Sequence, residues 1–243
     1  MKHLLFLFLT CTVAIAGMAQ ADDKKVYTTN NGEWIFSFAD ITTASGANPA
    51  SVVRFTPFFN TQFALHYDPV PYVGLFTGLG IRNVGFIYDQ RMPNGTTVRK
   101  KHRTYNLGIP VALKVGKMDK SYVYGGYEFE LPFNYKEKTF VDDSKEKFNE
   151  WFSNRVPDFY HTLFVGIQFP KGANLKFKYY LTEFFNRDFT EEVTVDGITT
   201  TVRPYENLQV NTFYISLTFN VFGKGETGMM GTPGNNDVTS YLY

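Results

Sequence analysis

Apolar and polar residues alternate strictly over 211–222. Phe213, Ile215, Leu217, Phe219 and Val221 share one parity, and Thr212, Tyr214, Ser216, Thr218 and Asn220 the other. A period of two belongs to a β-strand with one apolar and one polar face, since a helix would scatter both sets around its axis. About ten residues is also the length of a tilted strand crossing the hydrocarbon of a bilayer, where only a closed barrel satisfies every backbone group.

Seven further stretches carry the pattern. The first strand opens at Trp34 and ends near Asp40. The second runs from about Ser51 to His66, with Val53, Phe55, Phe59, Phe63 and Leu65 opposite Arg54, Thr56, Asn60, Gln62 and His66. The third, Tyr72 to Tyr88, sets Val73, Leu75, Leu79 and Ile81 against Gly74, Gly78, Gly80 and Arg82, and its parity blurs near Asn83–Gly85, which predicts a bulge. The fourth covers Thr97–Val115, the fifth Ser121–Lys136, the sixth Phe159–Phe169 and the seventh Leu175 to about Val195. Tight turns fall at 68–71, 116–120 and 170–172, while Asn94-Gly95 and Asp196-Gly197 mark extended hairpins and a longer insertion spans 139–157. Strands joined by alternating short and long connections predict an all-β, eight-stranded antiparallel transmembrane up-and-down β-barrel, with the short turns periplasmic. Trp34, Tyr67, Tyr72, Tyr122, Phe169 and Phe222 are then expected as an aromatic girdle at the short-turn end.

The polar parity carries Arg54, Arg82, Lys114, Lys176 and Lys178 against Glu128 and Glu130. Eight strands leave an interior just wide enough for side chains, so these residues predict a filled polar lumen and no open channel. Cations outnumber carboxylates in that set, so water, tyrosine hydroxyls or a bound anion is expected to complete the network.

Met1-Lys2-His3 followed by an apolar run to Ile15 and by Ala19-Gln20-Ala21 reads as a signal peptide over 1–21, with the barrel over 22–222. The Gly-, Asn- and Thr-containing segment 223–243 reads as a flexible periplasmic tail. Cleavage removes Cys11, the only cysteine, and takes the formal charge from +1 to near zero, which argues against a nucleic-acid partner. No stretch of eighteen or more apolar residues predicts a transmembrane helix.

Gly74-Leu75-Phe76-Thr77-Gly78-Leu79-Gly80-Ile81-Arg82, then Gly85-Phe86-Ile87-Tyr88, then 103–114 with Tyr105-Asn106-Leu107-Gly108-Ile109-Pro110 and Lys114, resemble the outer-membrane β-barrel domain family of Bacteroidetes, the PorT-like group. The resemblance covers nearly all of the chain before the tail. It implies outer-membrane localisation after export, no enzymatic activity and no catalytic residues to carry over. Some members are linked to secretion or gliding machinery.

Two external candidates follow. In 141–156, Asp142, Asp143 and Ser144 as caps and Glu146 as a capping-box partner predict a short helix. Its Phe148, Trp151 and Phe152 would cover the barrel mouth or contact a partner or the outer leaflet. Arg91, Arg99, Lys100, Lys101 and Arg103 gather at the external end of the third and fourth strands, where they either solvate a strand end or meet lipopolysaccharide phosphates. His102 and Asp158 are expected to project inward near the rim without a serine beside them, His161 faces lipid, and His66 lies near the periplasmic end. With no HExxH or GxSxG motif, no catalytic, cofactor-binding or metal-binding residue is assigned. The expectation is a monomeric, non-enzymatic barrel surrounded by outer-membrane lipid, with a structural or accessory role in an envelope protein complex. A secreted lipocalin-like barrel carrying an apolar ligand is the alternative, because turning every strand inside out preserves the periodicity. A barrel enzyme acting on lipid or protein comes third.

Overall fold

A strand that alternates apolar and polar residues needs a neighbour on each edge, and here the chain supplies them by closing on itself. The computed structural model describes residues 25–44, 49, 51–91, 95–141, 144–195 and 197–220. Its strands are β1 (Lys25–Thr43), β2 (Ser51–Val52), β3 (Arg54–Thr56), β4 (Thr61–Val70), β5 (Val73–Arg91), β6 (Thr97–Lys117) and β7 (Ser121–Val141). They continue with β8 (Ser144–Trp151), β9 (Tyr160–Gln168), β10 (Asn174–Tyr180), β11 (Glu191–Val195), β12 (Ile198–Val202) and β13 (Leu208–Asn220). The hydrogen-bonded path runs β13-β10-β9-β7-β6-β5-β4-β1, and β1 pairs back onto β13 from Asn31↔Asn220 to Thr43↔Leu208. Eight long antiparallel staves therefore make a closed barrel.

The staves are strongly staggered. Starting at Leu75, paired neighbours lead one way through Leu113, Gly125, Val165, Phe177 and Ile215 to Phe36. The other way they lead through Tyr67 to Val26, ten residues from Phe36 on the same strand. This offset tilts the strands and keeps the interior to side-chain width.

Burial settles which face looks out. Leu75, Leu79, Ile109, Val111, Leu113, Leu163, Val165, Phe177 and Ile215 are exposed on the outer wall, whereas Arg82, Lys114, Glu128, Glu130 and Lys178 are 1% exposed or less inside it. Water would not stabilise a continuous apolar exterior over a charged core, so the wall faces lipid. The inverted, lipocalin-like arrangement does not hold. At the external end the apolar band stops at a row of rings. Tyr105 lies 6.4 Å from Phe133, and Trp151 stacks on Phe133 at 5.9 Å. The crossing parts of β6 and β7 are thus 105–115 and 123–133.

Several expected elements differ. The second strand is broken between β3 and β4, where Pro57 offers no backbone donor and Phe59 takes φ 62°. Asn60 closes the gap: its Nδ2 donates to the Thr56 carbonyl at 2.9 Å and its Oδ1 accepts from the Asn83 amide at 2.7 Å. Phe58 and Phe59 are thereby held out on the wall. The third strand has no bulge at Asn83–Gly85, since its pairing with β6 runs in constant register from Gly80↔Gly108 to Arg91↔Thr97. Its parity blurs because Val84 and Phe86 face an apolar part of the lumen. The seventh strand ends at Tyr180, and β11 and β12 form a separate hairpin. The expected helix is a strand: β7 runs on to Val141 and β8 returns along it, while Asp142 and Asp143 lie outside the described residues. Tyr122 packs inside with Tyr124 and Phe76, and Trp34 adjoins Glu33 of the central lumen, so neither joins a periplasmic girdle. The signal segment, the tail and Phe222 also lie outside the described residues.

Asn60→Ala removes the side-chain bonds to the Thr56 and Phe58 carbonyls and from the Asn83 amide, and leaves backbone groups unsatisfied in the wall, at about 1–3 kcal/mol each. The temperature at which the unboiled band converts to the boiled position on an SDS gel should fall. An unchanged conversion temperature would show that the break needs no side-chain substitute.

Candidate functional site

The polar parities of β1, β5, β7 and β10 meet at mid-height. Arg82 sits between two carboxylates, with Nη1 3.4 Å from Glu33 Oε1 and Nε 3.2 Å from Glu128 Oε1. It also donates to the Thr61 carbonyl at 3.1 Å and to Gln62 Oε1 at 2.5 Å. Lys176 binds Glu33 at 2.7 Å, and Lys178 binds Glu128 at 2.6 Å and also Glu130. Tyr180 and Asn106 donate to the other oxygen of Glu130 at 2.8 and 2.6 Å. Three cations thus face three carboxylates in one continuous layer. Nearer the short-turn end, Lys114 pairs with Asp68 at 2.5 Å and reaches Tyr27 Oη at 3.2 Å and His66 Nδ1 at 3.3 Å.

The structure brings five of the seven expected lumenal residues together with Glu33 and pairs a sixth, Lys114, with Asp68 nearer the short turns. With Glu33 and Asp68, Arg82, Lys114, Lys176 and Lys178 face Glu33, Asp68, Glu128 and Glu130, and of the groups expected to complete the network the tyrosine hydroxyls take part, through Tyr180 on Glu130 and Tyr27 on Lys114. Arg54 stands apart in the wall, donating to the Asn83 carbonyl at 3.1 Å and to Asn83 Oδ1 at 2.6 Å. A close approach fixes one glycine here: a Cβ on Gly108 would lie 2.0 Å from Glu128 Oε1.

Below the ion layer a polar cavity of about 230 Å³ opens toward the short turns, lined in part by Tyr27, His66, Tyr122 and Lys176. Above it the lumen becomes apolar. The connection after β10 turns Phe184 and Phe185 inward, with the Phe184 amide bound to the Val210 carbonyl and the Phe184 carbonyl accepting from Tyr160 Oη, both at 2.8 Å. Phe185 stacks on Tyr205 at 4.1 Å, and Phe184 meets the Phe86 edge at 5.0 Å. Arg155 ties this plug to the rim, donating to Tyr205 Oη at 3.2 Å and to Glu191 at 2.5 Å.

His102 belongs to the plug. Its Nδ1 lies 2.9 Å from Tyr135 Oη, which donates to Glu137 Oε2 at 2.9 Å, so Nδ1 carries the proton of a neutral ring. Phe185 meets the ring edge-on at 5.1 Å. Burial, reinforced by the Lys100 charge, pulls the His102 pKa down to about 3. Asp158, expected inward, is exposed instead, and His161 faces outward with its Nδ1 2.5 Å from Tyr127 Oη. Among the described residues no group of three or more His, Cys, Asp and Glu side chains is arranged to hold a metal ion.

Beyond the aromatic row, β5, β6, β7 and β8 continue as one antiparallel sheet above the membrane, with β8 at its edge. Arg103 lies opposite Lys136, and Lys101 opposite Lys138, which in turn lies opposite Lys147. Arg99 lies opposite Phe140, which faces Lys145. Of the five expected rim cations, Arg99, Lys101 and Arg103 share this outward face. Lys100 has the inward parity of His102, and Arg91 ends β5 opposite Thr97. Phe148, Trp151 and Phe152 do not form one face. Phe148 turns to the mouth, 6.2 Å from Tyr135 and beneath Arg155, while Trp151 joins the aromatic row and Phe152, at φ 50°, is exposed. Lys145 and Lys147 were hidden by the helical reading, and Lys136 and Lys138 by ending the fifth strand at Lys136. The Lys-Glu-Lys alternation at 136–138 and 145–147, on either side of a turn, is the signal that finds them.

Closure, an apolar exterior and a charged interior define an outer-membrane-type β-barrel. No family model matches the chain, and no curated protein does. Among solved structures, Neisserial surface protein A aligns at 8% identity over 79% of this chain and 98% of its own, with a TM-score of 0.36. OprG from Pseudomonas aeruginosa aligns at 10% over 80% and 96% with 0.34, and Ail of Yersinia pestis at 9% over 79% and 97% with 0.31. At these values none bears on function.

Arg82→Ala leaves Glu33 and Glu128 each short of a counter-charge, a loss of about 3–5 kcal/mol for a buried pair. The variant should lose its heat-shifted band or convert at a much lower temperature, whereas conversion as in the wild type would deny the layer a structural role.

The neutral His102 contributes stability that is complete above its unfolded pKa of about 6.5 and is lost as pH falls toward its folded pKa. Proteolysis of the 181–205 segment in reconstituted protein should therefore be several-fold faster near pH 4.5 than near pH 7.5. His102→Gln should flatten that dependence, and a Gln variant as pH-sensitive as the wild type would assign the effect elsewhere.

Proposed function

We propose that the protein is a non-enzymatic, non-conducting barrel of the outer membrane that works through its external end, as a structural or accessory partner in an envelope complex. The observation that carries this reading is closure of the lumen at two levels, the ion layer around Arg82 and the aromatic plug around Phe185 and Tyr205. An ion or solute entering from the short-turn cavity meets the first level, and one entering from outside meets the second. What remains available to other molecules is the rim, where the β7–β8 and β11–β12 hairpins project and cations suit anionic components such as lipopolysaccharide.

Membership of the PorT-like group of Bacteroidetes barrels fits this role. The segments that carry the resemblance contain Gly80, beneath the Arg82 guanidinium, and Gly108, against Glu128. Their glycines make room for the filling of the lumen, which suits segments that carry architecture and not chemistry.

Planar-bilayer recording of the full-length protein should show no stable conductance steps at neutral pH. Reproducible steps from heat-modifiable protein would overturn the non-conducting reading.

A further inference from the structure

The part of the sheet that β6, β7 and β8 raise above the membrane has two chemically distinct faces. The outward face carries Arg99, Lys101, Arg103, Lys136, Lys138, Lys145 and Lys147. The acids of the same strands take the opposite parity, and Glu137 and Glu146 line a cleft with Arg155 and Glu191 on the mouth side, which Lys147 on the edge strand also borders. Arg99 is already committed, binding Asp89 through Nε at 2.7 Å and Nη2 at 2.8 Å. The ion pairs of the described residues include none of the other six.

Those six are close together. Lys101, Lys138 and Lys147 form one cross-strand row, and like charges directly opposite destabilise a sheet. The Lys138 ammonium is accordingly held below its ordinary pKa, first by partial burial and then by Arg103, Lys145, Lys147 and Lys101. Lysines that only guard an edge against pairing belong on the edge strand, yet this row crosses β7, which is paired on both sides. The rings between them hold the cations against the wall: Lys101 and Lys145 lie 5.0 and 5.5 Å from Phe140, and Lys136 lies 5.2 Å from Tyr105. The lowest pair, Arg103 and Lys136, is two residues above the Tyr105 ring that closes the apolar band, roughly 7 Å along the strand. That is the depth of lipid phosphates, beside the barrel and not above it.

We infer that this outward face, centred on Lys101, Lys138 and Lys147, is a docking surface for the phosphate groups of anionic lipids in the surrounding outer leaflet. The inference rests on the barrel reading, which places the long hairpins outside. Lipid phosphates arriving along the membrane plane supply the counter-charges that the sheet lacks, whereas a soluble polyanion would favour a patch facing away from the membrane. The face extends the recognition beyond the strand β6 cations to β7 and β8, and excludes Lys100.

Trp151, directly below the patch, is the reporter. In a Trp34→Phe background, the full chain is reconstituted in phosphatidylcholine vesicles, and Trp151 quenching by brominated phosphatidic acid is compared with quenching by brominated phosphatidylcholine. Half-quenching should need about tenfold less phosphatidic acid, a preference weakened by salt. The triple Lys101→Gln, Lys138→Gln, Lys147→Gln variant should lose the preference and the corresponding Arg triple should keep it. Equal quenching by the two lipids, or a preference that survives the Gln triple, overturns the inference. Salt-sensitive binding of dextran sulfate to the same lysines, with no lipid preference, would reassign the face to a soluble polyanion. Each protein is also run with and without boiling. A wild type without a heat shift overturns the barrel reading itself, while a heat-shifted wild type without lipid preference overturns this inference alone.

Discussion

Arg82 is held by carboxylates from two different strands, Glu33 on β1 and Glu128 on β7, and the barrel's interior is arranged around that sharing. A guanidinium with no access to water must place its donors on fixed acceptors, and its planar fork can serve several at once. Glu33 and Glu128 in turn bind Lys176 and Lys178, so each charge added to the layer satisfies one already there. The constraint reaches the backbone: a side chain on Gly108 would occupy the space of Glu128. Because the layer links β1, β5, β7 and β10, it ties together staves that do not pair with one another, while β1–β13 pairing closes the wall.

The interior divides by depth. The ion layer occupies the level where the wall meets hydrocarbon, and the aromatic plug the level where the strands rise beyond it. His102 marks that difference, being polar yet held neutral among Phe86, Tyr88 and Phe185. The plug is supplied by a connection and not by a stave. After Tyr180 the chain leaves the sheet and turns two consecutive phenylalanines inward, which no period-two segment can do.

That behaviour explains which features were legible in the sequence. Periodicity identified all eight staves and most of the lumenal charges, because within the membrane each strand has one neighbour type on each face. It missed Glu33 and Asp68, which lie at the margins of the segments where alternation was recognised. It misplaced a bulge at Asn83–Gly85, where the inward face changes from polar to apolar while the register stays constant. It extended the seventh strand through Phe184 and Phe185, whose roles depend on tertiary packing. The helix over 141–156 failed for a related reason: cap residues and aromatic spacing are local signals, whereas pairing with β7 is a longer-range one that prevails when a full strand edge is available.

The external sheet follows from the same alternation, with the solvents changed. Below Tyr105 the two parities of β6 and β7 separate lipid tails from a charged lumen. Above it they separate a cationic outer face from an acidic and aromatic mouth, without any change in the direction of the strands. The bulge between Tyr105 and Asn106 falls at this boundary, where the outward series passes from Phe133 to Lys136 on β7. A strand that continues past the hydrocarbon must exchange apolar outward residues for ones suited to headgroups. Lysine and arginine fit because their stems lie on the last rings while their charges reach the phosphate plane. Three adjacent strands make that exchange on one side of the barrel, so the cations are most simply understood as part of the wall's contact with its own membrane.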